Sequence, residues 1–275
     1  MAKTSVIITT YNNPVWLEKV LWSFSCQTHK AFEVVIADDG STSETRDLID
    51  AMRAKLPFDI LHLWQEDEGF RKCRILNQAI TQASGEYLIF TDGDCIVRRD
   101  FVETHLKCRQ TGAYLSGDYV RLPMSTSVAI TKADILDGRC FDLGYLIANG
   151  YPPKKISQRL KAKGLKASFL DKFSFVQANW YGNNASGWKK DLVAVNGFDE
   201  RMAYGGSDWE FGDRLNRSGI RRLRVRYRAI VLHLEHSRGY ADPELIRKNK
   251  AIWDEAVLKK TVWTDYGISR QATQD

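Results

Sequence analysis

The stretch SGEYLIFTDGDC, residues 84–95, decides the fold. Tyr87 to Thr91 is a short apolar run of strand character, and Asp92-Gly93-Asp94 is turn chemistry directly behind it. A strand that ends in two carboxylates at i and i+2 suits the carboxyl edge of a parallel sheet, where α/β proteins bind ligands. Upstream, Ser5 to Thr9 is another β-branched strand. Pro14 stands where a first helical turn tolerates it, and Leu17, Val20, Leu21 and Phe24 follow at helical spacing. Phe32 to Ala37 predicts a second strand ending in Asp38-Asp39-Gly40-Ser41, then a polar helix carrying Leu48, Ile49 and Met52. Asp59 to Trp64 predicts a third strand, and Ile75, Leu76, Ala79 and Ile80 mark the helix before the quoted stretch. Strands alternating with helices imply βαβ units with right-handed crossovers: an α/β fold with a mostly parallel central sheet flanked by helices.

Beyond about residue 110 the alternation loosens. Tyr151 to Lys172 holds Pro152, Pro153 and seven Lys/Arg, and reads as a mobile basic segment. Order is expected to return at Phe175 to Tyr181. Ser207-Asp208-Trp209-Glu210 predicts a helix opening on a capping box, with Ser207 at the N-cap and Glu210 three residues on. Arg221 to Leu232 alternates Arg with apolar residues and predicts one half-exposed strand, and Asp242-Pro243 opens a last helix. There is no internal repeat. The expectation is one domain over 1–275, with a donor-side half to 110, an acceptor-side half over 111–240, and a final helix and tail over 241–275.

The 275 residues, 44% of them hydrophobic, suffice to bury a core without staples. Nineteen Gly and six Pro exclude a collagenous or low-complexity chain, and 11% aromatic residues argue against disorder. No apolar run reaches the roughly 18–20 residues of a membrane span. The start, MAKTSVIITTYNN, does not read as a secretory signal. Five widely spaced Cys, an odd number without Cys-x-x-Cys, read as reduced thiols in a cytoplasmic protein. The net charge of +6 suits an anionic partner: nucleotide, nucleic acid or membrane surface.

Three acidic features fall where strands should end. Asp38-Asp39 is also ordinary turn chemistry. Asp92 and Asp94 can hold a hard divalent cation, Mg²⁺ or Mn²⁺, and two such carboxylates need a counter-charge. Asp208 follows the glycines of Tyr204-Gly205-Gly206-Ser207 in the first turn of a helix, whose N-terminus is expected to lower its pKa and keep it ionised as a base. His233 and His236 are candidates to complete a cation site.

The combination is more specific than its members. SVIITTYN (5–12), VVIADDGS (34–41), LNQAI (76–80) and SGEYLIFTDGDC together resemble family 2 glycosyltransferases of the GT-A fold. FTDGDCIVRRD (90–100) resembles the Asp-x-Asp region of the β-1,4-galactosyltransferases. NGFDERMAYGGSDWEFGDRL (196–215) resembles their Gly-Gly-Glu-Asp acceptor segment, and VLHLEHSRGY (231–240) their metal-binding His segment. The resemblance implies that Thr9, Tyr11 and Asp39 form a uridine pocket, and that Arg71 or Arg74 contacts a diphosphate. Asp92 would face ribose or metal, and Asp94 would bind the cation. His236 matches the further ligand better than His233, because the Ser-Arg after it matches too. Asp208 would be the catalytic base, and Tyr204, Gly205 and Trp188 would meet the acceptor sugar. Ser207 replaces the motif's Glu. The luminal relatives carry a membrane anchor and disulfides that this sequence lacks, so a bacterial-type cytoplasmic enzyme is expected.

The implied activity is transfer of a hexose or N-acetylhexosamine from a UDP-sugar to a hydroxyl of a glycan or lipid-linked saccharide. No separate carboxylate motif for a covalent intermediate is present, so a single displacement with inversion is expected. Seven Arg between Arg214 and Arg228 read either as a solvated face or as a contact with an anionic membrane at its inner surface. The alternatives are weaker. A nucleic-acid-binding protein should carry a recognised motif or aromatics interleaved with its basic runs. A dinucleotide-binding oxidoreductase should carry Gly-x-Gly-x-x-Gly after its first strand, where Thr-Tyr-Asn-Asn stands. A non-catalytic sugar-nucleotide-binding relative would not need Asp92, Asp94 and Asp208 together.

Overall fold

Val6, Ile7 and Ile8 are all fully buried, as are Val34, Val35 and Ile36. Strands with apolar residues on both faces need a helical layer on each side, which is the environment of a parallel sheet. The computed structural model describes residues 3–153, 158–237, 239 and 242–271. β1 (Thr4–Thr10), β2 (Glu33–Asp38), β3 (Ile60–Trp64) and β4 (Tyr87–Asp92) form that sheet in the order β3-β2-β1-β4, all parallel. Helices α1 (Pro14–Ser25), α2 (Ser43–Arg53) and α3 (Lys72–Gln82) make the crossovers. Asn13 caps α1 through its side chain, ahead of Pro14. Val6, Ile8 and Ile89 pack with Leu17 and Val20 on one face, while Ile7, Leu88 and Phe90 pack with Ile75, Leu76 and Ala79 on the other. The chain leaves β1 toward β3 and returns on β1's other side as β4. The β1/β4 boundary is therefore the topological switch point, where a ligand crevice opens.

After β4 come β5 (Cys95–Val97), α4 (Phe101–Cys108), β6 (Ala113–Ser116) and β7 (Val120–Arg121). Short helices α5 (Met124–Ala129), α6 (Lys132–Leu136), α7 (Leu143–Ala148) and α8 (Gln158–Lys161) lead to α9 (Gly164–Phe173). Next are β8 (Ala185–Trp188), α10 (Lys189–Ala194), α11 (Ser207–Arg217), β9 (Arg221–Arg224), β10 (Val231–His233), α12 (Pro243–Leu258) and α13 (Ile268–Gln271). β8 joins β4 antiparallel, and β6 and β9 extend the sheet to seven strands. A separate sheet of order β5-β10-β7 pairs Cys95 with His233.

The second half corrects several expectations. Over 151–172 the described residues form α8 and α9 rather than a mobile segment; Lys154 and Lys155 lie outside the described residues. Residues 175–181 carry no helix or strand, and regular structure resumes at β8 rather than at Phe175. Arg221 to Leu232 is two strands in two sheets, parted by a turn at 225–228. The capping box does not form. Gly206, at φ 90°, takes the N-cap of α11, which places Ser207 inside the helix. Glu210 turns instead to Arg214, with paired hydrogen bonds of 2.6 and 2.8 Å, both side chains being buried.

That pair begins the arginine run, and the rest of the run is also engaged. Arg217, Arg222 and Arg224 donate to the carbonyls of Thr261, Ala178 and Val176. Arg221 reaches Gln110, Arg226 pairs with Asp118, and Arg228 pairs with Asp171. Each of the seven arginines thus has a partner within the protein, while Arg221 and Arg222 stay exposed.

A buried ion pair costs most when one partner is removed. Glu210→Ala should lower stability by about 3–5 kcal/mol, and replacing Glu210 and Arg214 together by Leu and Met should recover most of it. Denaturant unfolding midpoints check both.

Candidate active site

Thr9 and Asp92 are register partners across β1 and β4, and Thr9 Oγ1 donates to Asp92 Oδ1 at 2.6 Å. Gly93 lets the turn fold back: its N–H donates to Thr9 O at 2.7 Å, and a Cβ there would lie 2.9 Å from that oxygen. The counter-charge that these carboxylates need is Lys72, on the first turn of α3, whose Nζ donates to the same Asp92 oxygen at 2.7 Å. Burial disfavours the Lys72 charge, but Asp92, Asp208 and Asp94 outweigh it and hold the ammonium above its ordinary pKa. Sequence reading passed over Lys72 in favour of its neighbours Arg71 and Arg74. The stated need for a cation beside Asp92 and Asp94 was the signal that could have found it.

Asp94 begins the second cluster. β10 lies against β5, with Leu234 N donating to Asp94 O at 2.9 Å, and this pairing brings both histidines to the carboxylate. His236 Nε2 lies 2.9 Å from Asp94 Oδ2 and His233 Nε2 lies 3.6 Å away. Burial pushes the Asp94 carboxyl up, but the His236 hydrogen bond and both imidazoles bring it below its ordinary range. The His236 ring is held above its own ordinary value, chiefly by Asp94. His236 Nδ1 donates to Ser237 O at 2.7 Å, which leaves Nε2 as the ligand nitrogen, the usual outer support of a metal-binding imidazole. His233 Nδ1 is buried without a partner. The three side chains can present ligand atoms within 4.8 Å of one another. One carboxylate and imidazole nitrogens suit a first-row divalent cation such as Mn²⁺, and fit Mg²⁺ through the carboxylate. Cys95 adjoins the cluster, but burial raises its thiol pKa far above the ordinary value, so it stays protonated. Arg238 and Tyr240 of this segment lie outside the described residues.

Asp39 follows β2 at the same edge. It accepts from Gln65 Nε2 at 2.5 Å and from the Arg71 backbone N–H at 2.9 Å. Burial raises its pKa to about 6 against the lowering effect of those two donors. Asp38 belongs to the turn itself, accepting from Ser41 N and contacting His62. Tyr11 is exposed and donates to Asp67 at 2.8 Å. The Arg71 guanidinium meets the Glu68 carboxylate and the Glu66 carbonyl. Arg74 is half-buried on the first turn of α3.

Asp208 enters from the second half. Its Oδ2 accepts from Gly182 N at 2.9 Å, and a Cβ on Gly182 would stand 3.0 Å from Oδ1, so glycine leaves this close approach its room. Its pKa is raised, not lowered as its helix position predicted. Burial outweighs Lys72 and the Gly182 N–H, and Asp92 adds to the rise. The loop before it is fixed by Asn249 of α12, whose Nδ2 reaches the carbonyls of Ala203, Tyr204 and Gly205 at 2.7–3.0 Å. Tyr204 meets Phe70 edge to face, with ring centroids 5.8 Å apart. Trp188 does not join this group. It is the register partner of Tyr87, at the opposite end of β4 from Asp92, about 17 Å away at roughly 3.3 Å per residue. Its indole donates to Gln110 O, so its part is structural.

A cavity of about 1030 Å³ also lies at that amino-terminal edge, lined by Lys3, Lys30, Glu33, Arg53 and Lys107. The carboxylates instead gather at the carboxyl ends of β1, β2 and β4, beside the switch point.

A sheet of this topology, with carboxylates gathered at its switch point, has the architecture of the GT-A fold. Residues 5–115 match glycosyl transferase family 2, and residues 169–237 match the N-terminal domain of galactosyltransferase, so the chain joins a family 2 first half to a galactosyltransferase-like second half. Glycosyltransferase YfnE of Bacillus subtilis is 28% identical, over 90% of this chain and 69% of its own length. Validoxylamine A glucosyltransferase of Streptomyces hygroscopicus subsp. jinggangensis is also 28% identical, over 78% of this chain, which spans about half (52%) of that relative. Among solved structures, Staphylococcus aureus TarS 1–349 in complex with UDP-GlcNAc superposes with a TM-score of 0.62 at 18% identity, covering 98% of this chain and 69% of TarS. The mannosyltransferase PcManGT of Pyrobaculum calidifontis, with GDP-Man and Mn²⁺, has a TM-score of 0.58 at 19% identity over 87% of this chain and 59% of its own. These structural likenesses speak for the fold.

Titration of Mn²⁺ into the protein without nucleotide, read by electron paramagnetic resonance, should weaken at least about tenfold in Asp94→Ala and in His236→Ala. Unchanged affinity in both variants would move the cation elsewhere.

Proposed function

We propose that this protein transfers a hexosyl or N-acetylhexosaminyl group from a UDP-sugar to a hydroxyl of a glycan or lipid-linked saccharide, with inversion at the anomeric carbon. The observation that carries this reading is the convergence of Asp92, Asp94 and Asp208 on Lys72 at the β1/β4 switch point. Asp39 accepts the imide N–H of uracil, beside Thr9 and Tyr11. Asp92 faces the ribose. Lys72, and Arg74 beyond it, answer the charge of the diphosphate. Asp94 and His236 would hold a Mn²⁺ or Mg²⁺ ion, which would supply charge stabilisation to the departing phosphate.

Asp208 takes the proton of the acceptor hydroxyl as that oxygen attacks. Its raised pKa makes it a better base than an exposed aspartate. Tyr204 and Gly205 present the acceptor, on a loop that Asn249 fixes. An α-linked donor then gives a β-linked product. Asp208→Asn should lower turnover by about 10²–10⁴-fold while UDP affinity stays within twofold of wild type, roughly the value of a positioned base. Near-normal turnover, or an α-linkage in the product by NMR, would falsify this assignment.

The Asp39 carboxylate also sets a pH dependence. The ionised form is the acceptor, so uridine binding should be strong above the folded pKa of about 6 and weaken as pH falls through it. Uridine carries no diphosphate, so the cation site does not enter. Calorimetry at pH 5 should show about tenfold weaker binding than at pH 7.5, one decade per pH unit below the pKa. A flat profile would exclude Asp39 as the base contact. The same shift has a stability sign. Native Asp39 binds its proton more tightly than the unfolded chain does, so its contribution to stability falls as pH rises from about 4 to 6.

A further inference from the structure

Helix α9 is amphipathic in the wrong sense for a helix that uses its apolar face to fold. Its buried residues are Ala167 and Asp171. Asp171 is tied down by Arg228 Nε at 2.6 Å and by Tyr227 N at 3.0 Å. The opposite face carries Leu165, Phe169 and Phe173, spaced by four and exposed by 90%, 60% and 55%. Phe169 and Phe173 lie against each other, with centroids 4.5 Å apart. At about 100° per residue these three span roughly 80° of the helix, and Lys166 and Lys172 fall just outside that arc on either side. Lys161 and Lys163 precede the helix, and the fully exposed Phe175 follows it. All four lysines are exposed. A contiguous apolar patch on an otherwise ordinary surface marks an interaction site, and apolar side chains bordered by lysines are the composition of a helix that lies in a bilayer interface.

We infer that α9 docks this protein on an anionic lipid bilayer, with Leu165, Phe169 and Phe173 entering the acyl boundary and Lys161, Lys163, Lys166 and Lys172 meeting lipid phosphates. Charge complementarity selects this occupant: four lysines frame the apolar stripe, and the one acid on the helix is turned inward to Arg228. The contact lies here and not on the arginine run, whose side chains are engaged within the protein. No described helix is long and apolar enough to cross a membrane, so the docking is peripheral. The location also fits the acceptor side. From α9 the chain runs nine residues to Gly182, whose N–H holds Asp208. A lipid-linked acceptor would thus be met by the same half of the chain that carries Asp208. That last step rests on the proposed function, whereas the docking itself does not.

Co-sedimentation with vesicles separates the two. Wild type should pellet with phosphatidylcholine vesicles containing about one-third phosphatidylglycerol at low salt, and much less with phosphatidylcholine alone, because lysines gain only from the anionic surface. Phe169→Ser with Phe173→Ser should lower binding at least fivefold, as should Lys166→Glu with Lys172→Glu. All these variants should bind uridine as wild type does, which shows that they are folded and leaves the donor site as a separate question. Equal pelleting of wild type and both variants would overturn the inference. So would an absence of vesicle binding together with a dimer, by sedimentation velocity, that the Phe169/Phe173 variant abolishes, for the stripe would then pack against a second copy of this chain.

Discussion

The Lys72–Asp92 contact is the constraint on which the cleft depends. Three carboxylates, Asp92, Asp94 and Asp208, come from a strand end, a turn and a distant helix, and like charges at such range cannot all stay ionised in a half-buried cleft without a cation. Lys72 stands at the first turn of α3, where the helix backbone fixes its approach, and touches the same Asp92 oxygen that Thr9 uses. Its charge reaches Asp208 as well, so Asp92 and Asp208 share one counter-ion. Any event that changes the charge around Asp92 therefore changes the basicity of Asp208.

The second half of the chain serves this centre by reaching back to it. β10 is only three residues long, yet its pairing with β5 is what sets His233 and His236 against Asp94. Gly182 gives up its side chain so that its N–H can hold Asp208. Asn249, on the last long helix, ties down three successive carbonyls ahead of Gly206. The loop ahead of Asp208 is thereby fixed by α12, far along the chain from the strands that lead to Asp39 and Asp92.

Sequence reading succeeded where the physics is local. β1 to β4 are apolar runs ending in turn residues, so their limits, their order of appearance and the carboxylates behind them are visible in one dimension. It failed where partners are remote. Ser207 and Glu210 satisfied the pattern of a capping box, but two glycines at positive φ moved the cap to Gly206, and Glu210 was drawn to a buried Arg214. The arginine run looked like a surface because the carbonyls and carboxylates that absorb it come from residues about 40 to 110 positions away. Trp188 carried an acceptor-like side chain, and only the antiparallel register of β8 put it at the wrong end of the sheet. Lys72 was hidden between two arginines, either of which seemed the better phosphate ligand.

The central claim is that a uridine nucleotide and a divalent cation share the cleft at the carboxyl ends of β1, β2 and β4. A crystal structure with UDP and Mn²⁺ tests it most directly. The account predicts uracil on the Asp39 carboxylate, the diphosphate beside Lys72, and a manganese anomalous peak between Asp94 and His236. Nucleotide density in the basic cavity lined by Lys30, Arg53 and Lys107, with no manganese peak at Asp94, would contradict it.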